Sequence, residues 1–215
     1  MNRAVIFDLD GTLLNTLGDL CDSVNFVLDS YGYPTRTIEE VNSFIGNGVG
    51  ELIRRSLPVD AQDKFDEALA KFKAYYGEHS NIKTHVYDGL IPVLKKLRLD
   101  GYKIGVVTNK VDFAAKSLCR EYFGPLVDIA IGDRENFPRK PAPDSVLEAM
   151  HELCCDKAIY VGDSDVDIAT AKNANLPCIA VTWGFRKKEF LIACGGEHFA
   201  DTADELYEII KGVAL

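Results

Sequence analysis

The stretch Val5-Ile6-Phe7-Asp8-Leu9-Asp10-Gly11-Thr12 decides how the rest of the chain is read. Its opening is near-continuously hydrophobic and branched, the pattern of a strand buried in a parallel sheet, and the run stops abruptly in two carboxylates and a glycine. Chemistry is therefore expected at that strand's carboxyl end. Strand side chains repeat every two residues, so Asp8 and Asp10 start on the same side, and Gly11 lets the backbone turn sharply beside them. Two like charges that close are costly without a cation. A hard divalent metal, Mg²⁺, removes the cost and keeps waters and a substrate phosphate among its other ligands. The motif thus points to a phosphorylated ligand. An ordinary Asp-Gly turn is the competing reading of this stretch taken alone.

The 215 residues suffice for one large domain or for a core domain with an insertion. With 47% hydrophobic and 27% charged residues the composition is that of an ordinary globular protein, which excludes a disordered or fibrous chain. Only Arg3 precedes the first strand, so the basic and long apolar regions of a signal peptide are lacking, and no apolar run is long enough to span a bilayer. A cytoplasmic protein with no membrane partner is expected. Cys21, Cys119, Cys154, Cys155, Cys178 and Cys194 show no C-x-x-C spacing, so reduced, buried thiols are expected. A net charge of −9 argues against a nucleic-acid partner, which requires a basic face. An acidic protein that acts on an anion must supply positive charge locally, from a metal and one or two lysines.

After Gly11-Thr12, the segment from Thr16 to Tyr31 places Leu17, Leu20, Cys21, Val24, Val27, Leu28 and Tyr31 at helical intervals, with Thr16 as N-cap and Gly32 as stop. Further helices are expected at Ile38–Phe44, Val49–Leu57 and Ala61–Ser80. From Gly89 onward helices alternate with strands: strands at Lys103–Thr108, Asp128–Gly132, Ala158–Gly162 and Cys178–Val181, helices at Ile91–Leu99, Val111–Tyr122, Pro143–Leu153 and Asp167–Ala174, then a closing strand and helix around Phe199–Lys211. Such alternation implies an α/β, doubly wound, Rossmann-like parallel sheet. The first strand belongs to it, so the helical block is an insertion. The expected organisation is a core of residues 1–15 and 83–215 and a helical cap of residues 16–82, leaving beside the Asp8/Asp10 turn as a lid.

Ligands of open parallel sheets bind beyond the carboxyl ends of the strands. One strand ends there in Thr108-Asn109-Lys110 and another in Gly162-Asp163-Ser164-Asp165-Val166-Asp167, while Lys140 stands just before the next helix. Each has a plain structural explanation by itself. Thr108 could cap a helix, Lys140 could be solvated, and Asp163 and Asp167 could be acids favoured at a helix N-terminus. Their arrival at one rim, in this order, is what a site requires.

These residues resemble the haloacid dehalogenase (HAD) superfamily, whose four motifs are matched in order by Asp8-Leu9-Asp10-Gly11-Thr12, by Thr108, by Lys140, and by Gly162 to Asp167. The helical insertion after the first motif is similar to the family's small helical cap. Within the superfamily, Gly46-Asn47-Gly48, Lys140-Pro141-Ala142-Pro143-Asp144 and Val181-Thr182-Trp183-Gly184-Phe185 resemble bacterial phosphoglycolate phosphatases. The chain departs from that pattern at Asn15, where an aspartate is frequent, and at Val86-Tyr87-Asp88-Gly89, which lacks the usual prolines.

The resemblance implies a Mg²⁺-dependent phosphatase of small phosphorylated metabolites, working as a monomer or homodimer. Asp8 would be the nucleophile that forms an aspartyl-phosphate, and Asp10 the general acid and base. The metal would be held by Asp8, the Asp10 main chain and Asp163, with Asp167 in support. Thr108, Lys140 and the backbone of Asn109 would meet the phosphoryl group, and Gly11 and Thr12 would shape the turn around it. Asn47 and Gly48 could contact the leaving group, or could be a simple glycine-rich connection. Arg186-Lys187-Lys188 reads as a solvated loop, and His79, His85, His151 and His198 as surface or packing residues. A pyrophosphatase or nucleotidase of the same superfamily, a phosphosugar mutase, and a non-catalytic regulator are the alternatives. The last would be expected to have lost Asp8 or Asp10.

Overall fold

A computed structural model describes residues 3–213. The chain divides into two compact units: one holds the segment up to Leu14 and everything from Val86 on, and the other holds Asn15–His85.

The first unit is built on a six-stranded sheet: β1 (Arg3–Phe7), β4 (Tyr102–Val111), β5 (Ile129–Asp133), β6 (Lys157–Gly162), β7 (Cys178–Val181) and β8 (His198–Ala200), where β2 (Leu14–Asn15) and β3 (His85–Val86) are two-residue strands outside it. Its order is β5-β4-β1-β6-β7-β8, and every pairing is parallel. Alternation within β1 explains why its apolar run is unbroken. Val5 and Phe7 face one cluster with Leu94 and Leu97 of α5 (Leu90–Leu99), Leu118 of α6 (Asp112–Tyr122) and Leu206 of α10 (Ala203–Gly212). Ala4 and Ile6 face the other, with Val146 and Ala149 of α7 (Asp144–Glu152) and Ala171 of α8 (Asp165–Asn173). Ala4, Val5, Ile6 and Phe7 are all fully buried, as a strand covered on both faces demands. The chain runs outward from β1 through β4 and β5 on one side and then through β6, β7 and β8 on the other. The carboxyl ends of β1, β4 and β6 therefore meet at the reversal of strand order, where ligands of such sheets bind.

The helical unit comprises α1 (Leu17–Asp29), α2 (Ile38–Phe44), α3 (Gly48–Ser56), a 3-10 segment (Val59–Lys64) and α4 (Phe65–His79). Leu20, Val24, Val27, Leu28, Leu52, Ile53, Phe72 and Tyr76 are among its buried apolar residues, and α1 packs along α4. Gly32, at φ +70, stops the first helix. Asp19 is buried, and its carboxylate accepts hydrogen bonds from the backbone N–H groups of Ile82, Lys83 and Thr84 and from the Thr84 hydroxyl. An acid in the first turn of α1 thereby fastens the segment that follows α4.

Five expectations need correction. The thiols are not all buried, since Cys154 and Cys194 are exposed. Thr16 occupies the N-cap position but its hydroxyl caps nothing; Asn15 Oδ1 accepts from Leu17 N instead, at 3.3 Å. The stretch from Ala61 to Ser80 is not one helix, because Val59–Lys64 is a 3-10 segment with non-helical φ/ψ at Ala61. The strand expected to end at Thr108 continues to Val111, after a register shift against β5 between Val107 and Val111. The basic run is not a simple solvated loop: Lys188 opens the short helix α9 (Lys188–Ala193) and binds both oxygens of Asp201 at 3.1 Å, and the Arg186 side chain is only 16% exposed.

Candidate active site

The backbone N–H of Asp8 still donates to Val161 O, at 2.8 Å, so the carboxylate is fixed where β1 leaves the sheet. Beyond it the chain folds tightly, with Leu9 O accepting from the N–H groups of Thr12, Leu13 and Leu14. Gly11 sits in this turn at φ +87, where a Cβ would overlap the Asp163 carboxylate; the glycine is required both by backbone angle and by space. Thr12 Oγ1 donates to Asp163 Oδ1 at 3.1 Å, and Phe185 N donates to Asp163 Oδ2 at 2.7 Å. Trp183 Nε1 donates to Thr12 O at 3.1 Å, and a Cβ on Gly184 would overlap both Asp163 and the Gly11 carbonyl. The segment after β7 is thus a wall of the site. In the sequence Val181 to Phe185 carried a resemblance to phosphoglycolate phosphatases but no role in the site.

Lys140 is buried at the centre. Its Nζ lies 2.9 Å from Asp8 Oδ1, 2.8 Å from Asp167 Oδ1 and 3.1 Å from Tyr160 Oη. Asp167 spends its second oxygen on Ser164, accepting from the backbone N–H at 3.1 Å and the hydroxyl at 2.6 Å. Tyr160, fully buried in β6, has its hydroxyl 3.2 Å from both Val107 O and Asp167 Oδ1, which compete for its one proton. Tyr160 and Asp167 therefore orient Lys140, and Tyr160 gave no functional signal in the sequence because it reads as one more apolar strand residue. Thr108 is buried, and its Oγ1 accepts from Lys110 N at 3.2 Å, which leaves its own proton to give. The side chain of Asn109 binds the main chain of Lys140 at both polar atoms. Asp10 does not join the Asp8 group; its two oxygens accept from the buried Lys110 Nζ at 3.1 and 3.3 Å. Lys110, too, carried no assignment from sequence. Asn47 and Gly48 belong to the helical unit, at the N-cap and first residue of α3, outside the group assembled on the sheet.

Asp8, Asp163 and Asp167 bring carboxylate oxygens within 4.8 Å of one another. Burial raises the Asp8 carboxyl from 3.8 to about 7; Lys140 pulls it down, while Asp167 and Asp10 push it further up. Burial also holds Asp163 well above the usual range, reinforced by Asp167 and Asp8 and opposed by the hydrogen bonds from Phe185 and Thr12. Lys140 is the reverse case. Burial alone would lower it, but Asp167 and Asp8 outweigh that and keep the ammonium well above its ordinary value. Three carboxylates against one ammonium leave the group short of positive charge. Asp8 Oδ1 is buried and receives no well-directed hydrogen bond, even from Lys140 beside it. A hard, all-oxygen donor set with more carboxylates than the single ammonium can neutralise fits a divalent cation of the Mg²⁺ kind. Asp8 and Asp163 have capacity to hold it, whereas Asp167 is committed to Lys140, Tyr160 and Ser164.

A model of the haloacid dehalogenase-like hydrolase family matches residues 5–181, from β1 through β7. The chain belongs to that family. Among its relatives in this hydrolase family is Phosphoglycolate phosphatase 1 of Pseudomonas aeruginosa, 35% identical over 85% of this chain and 70% of the relative. The phosphoglycolate phosphatase of Cereibacter sphaeroides is 37% identical over 85% of this chain and 86% of its own. Among solved structures, a candidate phosphoglycolate phosphatase from Lactobacillus delbrueckii subsp. bulgaricus superposes with a TM-score of 0.90 at 36% identity, covering 96% of this chain and 97% of the other. The doubly wound parallel sheet is thus the HAD fold. No helix among the described residues is long and apolar enough to cross a membrane.

Proposed function

We propose that this chain is a Mg²⁺-dependent cytoplasmic phosphatase that hydrolyses small phosphate monoesters, 2-phosphoglycolate foremost, through an aspartyl-phosphate on Asp8. The observation that carries the reading is the placement of Lys140 Nζ, 2.9 Å from Asp8 and 2.8 Å from Asp167, beside the further carboxylate of Asp163. The names of the relatives support the substrate class.

Bound by Asp8 and Asp163, the metal supplies positive charge that offsets the oxygens of the transferring phosphoryl group. The chain's own residues do the rest. Asp8 is fixed by the sheet at the point where an incoming phosphorus would stand, and positive charge beside it favours the ionised, attacking carboxylate. Lys140 neutralises both that carboxylate and a phosphoryl oxygen, and Thr108 donates its hydroxyl proton to another, with Asn109 holding Lys140 in place. Asp10 gives a proton to the departing alkoxide and then takes one from the water that cleaves the acyl-phosphate. Such acid-base assistance is worth about 10²–10⁴ in rate. Thr12 and the Trp183-Gly184-Phe185 wall keep Asp163 oriented.

Phosphate release from 2-phosphoglycolate, with and without Mg²⁺, tests the reading. Turnover should vanish on chelation and in Asp8→Asn; more than trace turnover in that variant contradicts the nucleophile. Asp10→Asn should fail chiefly on alkyl esters, and an equal loss on 4-nitrophenyl phosphate, whose leaving group needs no proton, contradicts the acid.

A further inference from the structure

Two lysines are buried among the described residues, and the mechanism uses only Lys140. Lys110 remains. Its side chain is 3% exposed, a rare state for a lysine, and its Nζ forks onto both oxygens of Asp10 at 3.1 and 3.3 Å. Lys110 stands two residues beyond Thr108 in the extended end of β4, and its N–H is tied to the Thr108 hydroxyl. The strand thus presents, in sequence, a hydroxyl for the phosphoryl group and an ammonium next to the acid that meets the ester oxygen.

We propose that Lys110 is the specificity-determining residue for the leaving group, taking a carboxylate carried on the carbon next to the ester oxygen. The inference rests on the phosphatase reading above and narrows it to a substrate class. Reach supports it. The ester oxygen must come within about 2.6–3.2 Å of Asp10 to be served by it, so it lies no more than about 6.5 Å from an ammonium that is 3.1 and 3.3 Å from the two Asp10 oxygens. A carboxylate on the adjacent carbon has its own oxygens about 3 Å from the ester oxygen, so one that points toward Lys110 reaches hydrogen-bond distance of its ammonium. Charge supports it as well. A buried ammonium can exchange one carboxylate partner for another without being left unpaired, and the exchange frees Asp10 to turn toward the ester oxygen. An uncharged alcohol has nothing to exchange, so Lys110 stays on Asp10 and the ester is disfavoured. Discrimination then arises from a buried charge that only the matching group can satisfy.

The test compares 2-phosphoglycolate with ethyl phosphate, in which a methyl group replaces the carboxylate, measuring kcat and KM for each. Wild type should prefer 2-phosphoglycolate in kcat/KM by at least about thirtyfold, the loss typical of an unpaired partner in a buried charge pair. In Lys110→Met that preference should collapse to within about threefold, and Lys110→Arg should restore most of it. A Lys110→Met enzyme that loses both esters in equal proportion, keeping the preference, overturns the proposal and leaves Lys110 as a holder of Asp10. Should the methionine variant not fold, the wild-type comparison still decides: turnover of both esters without preference overturns the proposal while the phosphatase reading stands. Turnover of neither ester, nor of 4-nitrophenyl phosphate, overturns both.

Discussion

The side-chain amide of Asn109 grips both main-chain polar atoms of Lys140: its Oδ1 accepts from Lys140 N at 3.0 Å, and its Nδ2 donates to Lys140 O at 3.1 Å. β4 and the loop before α7 are thereby joined at the residue that must hold its ammonium against Asp8. Asn109→Ala is expected to lower kcat on 2-phosphoglycolate about tenfold or more with KM within about threefold, since misplacing a charge affects the transition state more than ground-state binding. Two lost hydrogen bonds should cost about 1–3 kcal/mol of stability. A variant in which only KM changes would show that Asn109 contacts substrate rather than positioning Lys140.

Asp8 should make metal-free stability depend on pH in a definite direction. The unfolded carboxyl ionises near 3.8, whereas in the fold burial, with Asp167 and Asp10, outweighs Lys140 and holds it up to about 7. The unfolded state therefore loses its proton first, and stability falls as pH rises between roughly 4 and 7. Asp8→Asn removes that cost while Lys140 keeps Asp167. The metal-free variant should melt several degrees above metal-free wild type at pH 8 and hardly differ at pH 4, at about 2–4 °C per kcal/mol for a chain of this size. Calorimetry showing the larger gain at pH 4 would refute the assignment.

Gly184 has no room for a methyl group, because a Cβ there would overlap Asp163 and the Gly11 carbonyl. Wild type at saturating Mg²⁺, at about a hundred times Kd, should gain about 2.7 kcal/mol, or roughly 5–10 °C in melting temperature. Gly184→Ala should lose at least half of that shift and about tenfold in kcat/KM. An undiminished Mg²⁺ shift in the variant would remove Asp163 from the proposed ligands.

Asp19 predicts a stability effect in the helical unit that does not pass through the reacting atoms. Truncation to alanine strands the backbone N–H groups of Ile82, Lys83 and Thr84, which all point at one buried carboxylate, while the Thr84 hydroxyl keeps Ser80 O at 3.1 Å. The expected loss is about 1–3 kcal/mol in urea denaturation. Amide exchange should accelerate most at Ile82, Lys83 and Thr84. A loss under about 1 kcal/mol would mean that water replaces the carboxylate there.

Much of this was legible in one dimension. The run Val5-Ile6-Phe7 announced a strand covered on both faces because such a strand has no polar side to alternate. Gly11, Thr108 and Asp163 were legible as candidates because each stands at or near a strand's carboxyl end, where parallel sheets expose side chains to a ligand, and Lys140 only through its place in the order of the motifs. The helix α9 was not, since six residues with one fully buried side chain, Leu191, are too short for a helical period to emerge. The extension of β4 was masked by its own chemistry: Thr108, Asn109 and Lys110 are polar, and polar residues after an apolar run read as its end.

What the linear order determined by itself was the topology class and the chemical types brought to the rim, because periodicity and motif order are properties of neighbours along the chain. Which partner each charged group takes was decided only by the tertiary structure. Lys140 finds Asp8, Tyr160 and Asp167, and Lys110 finds Asp10, at separations of up to 132 residues along the chain. A buried charge is governed by the groups that replace its water, and those arrive from strands that only folding sets side by side.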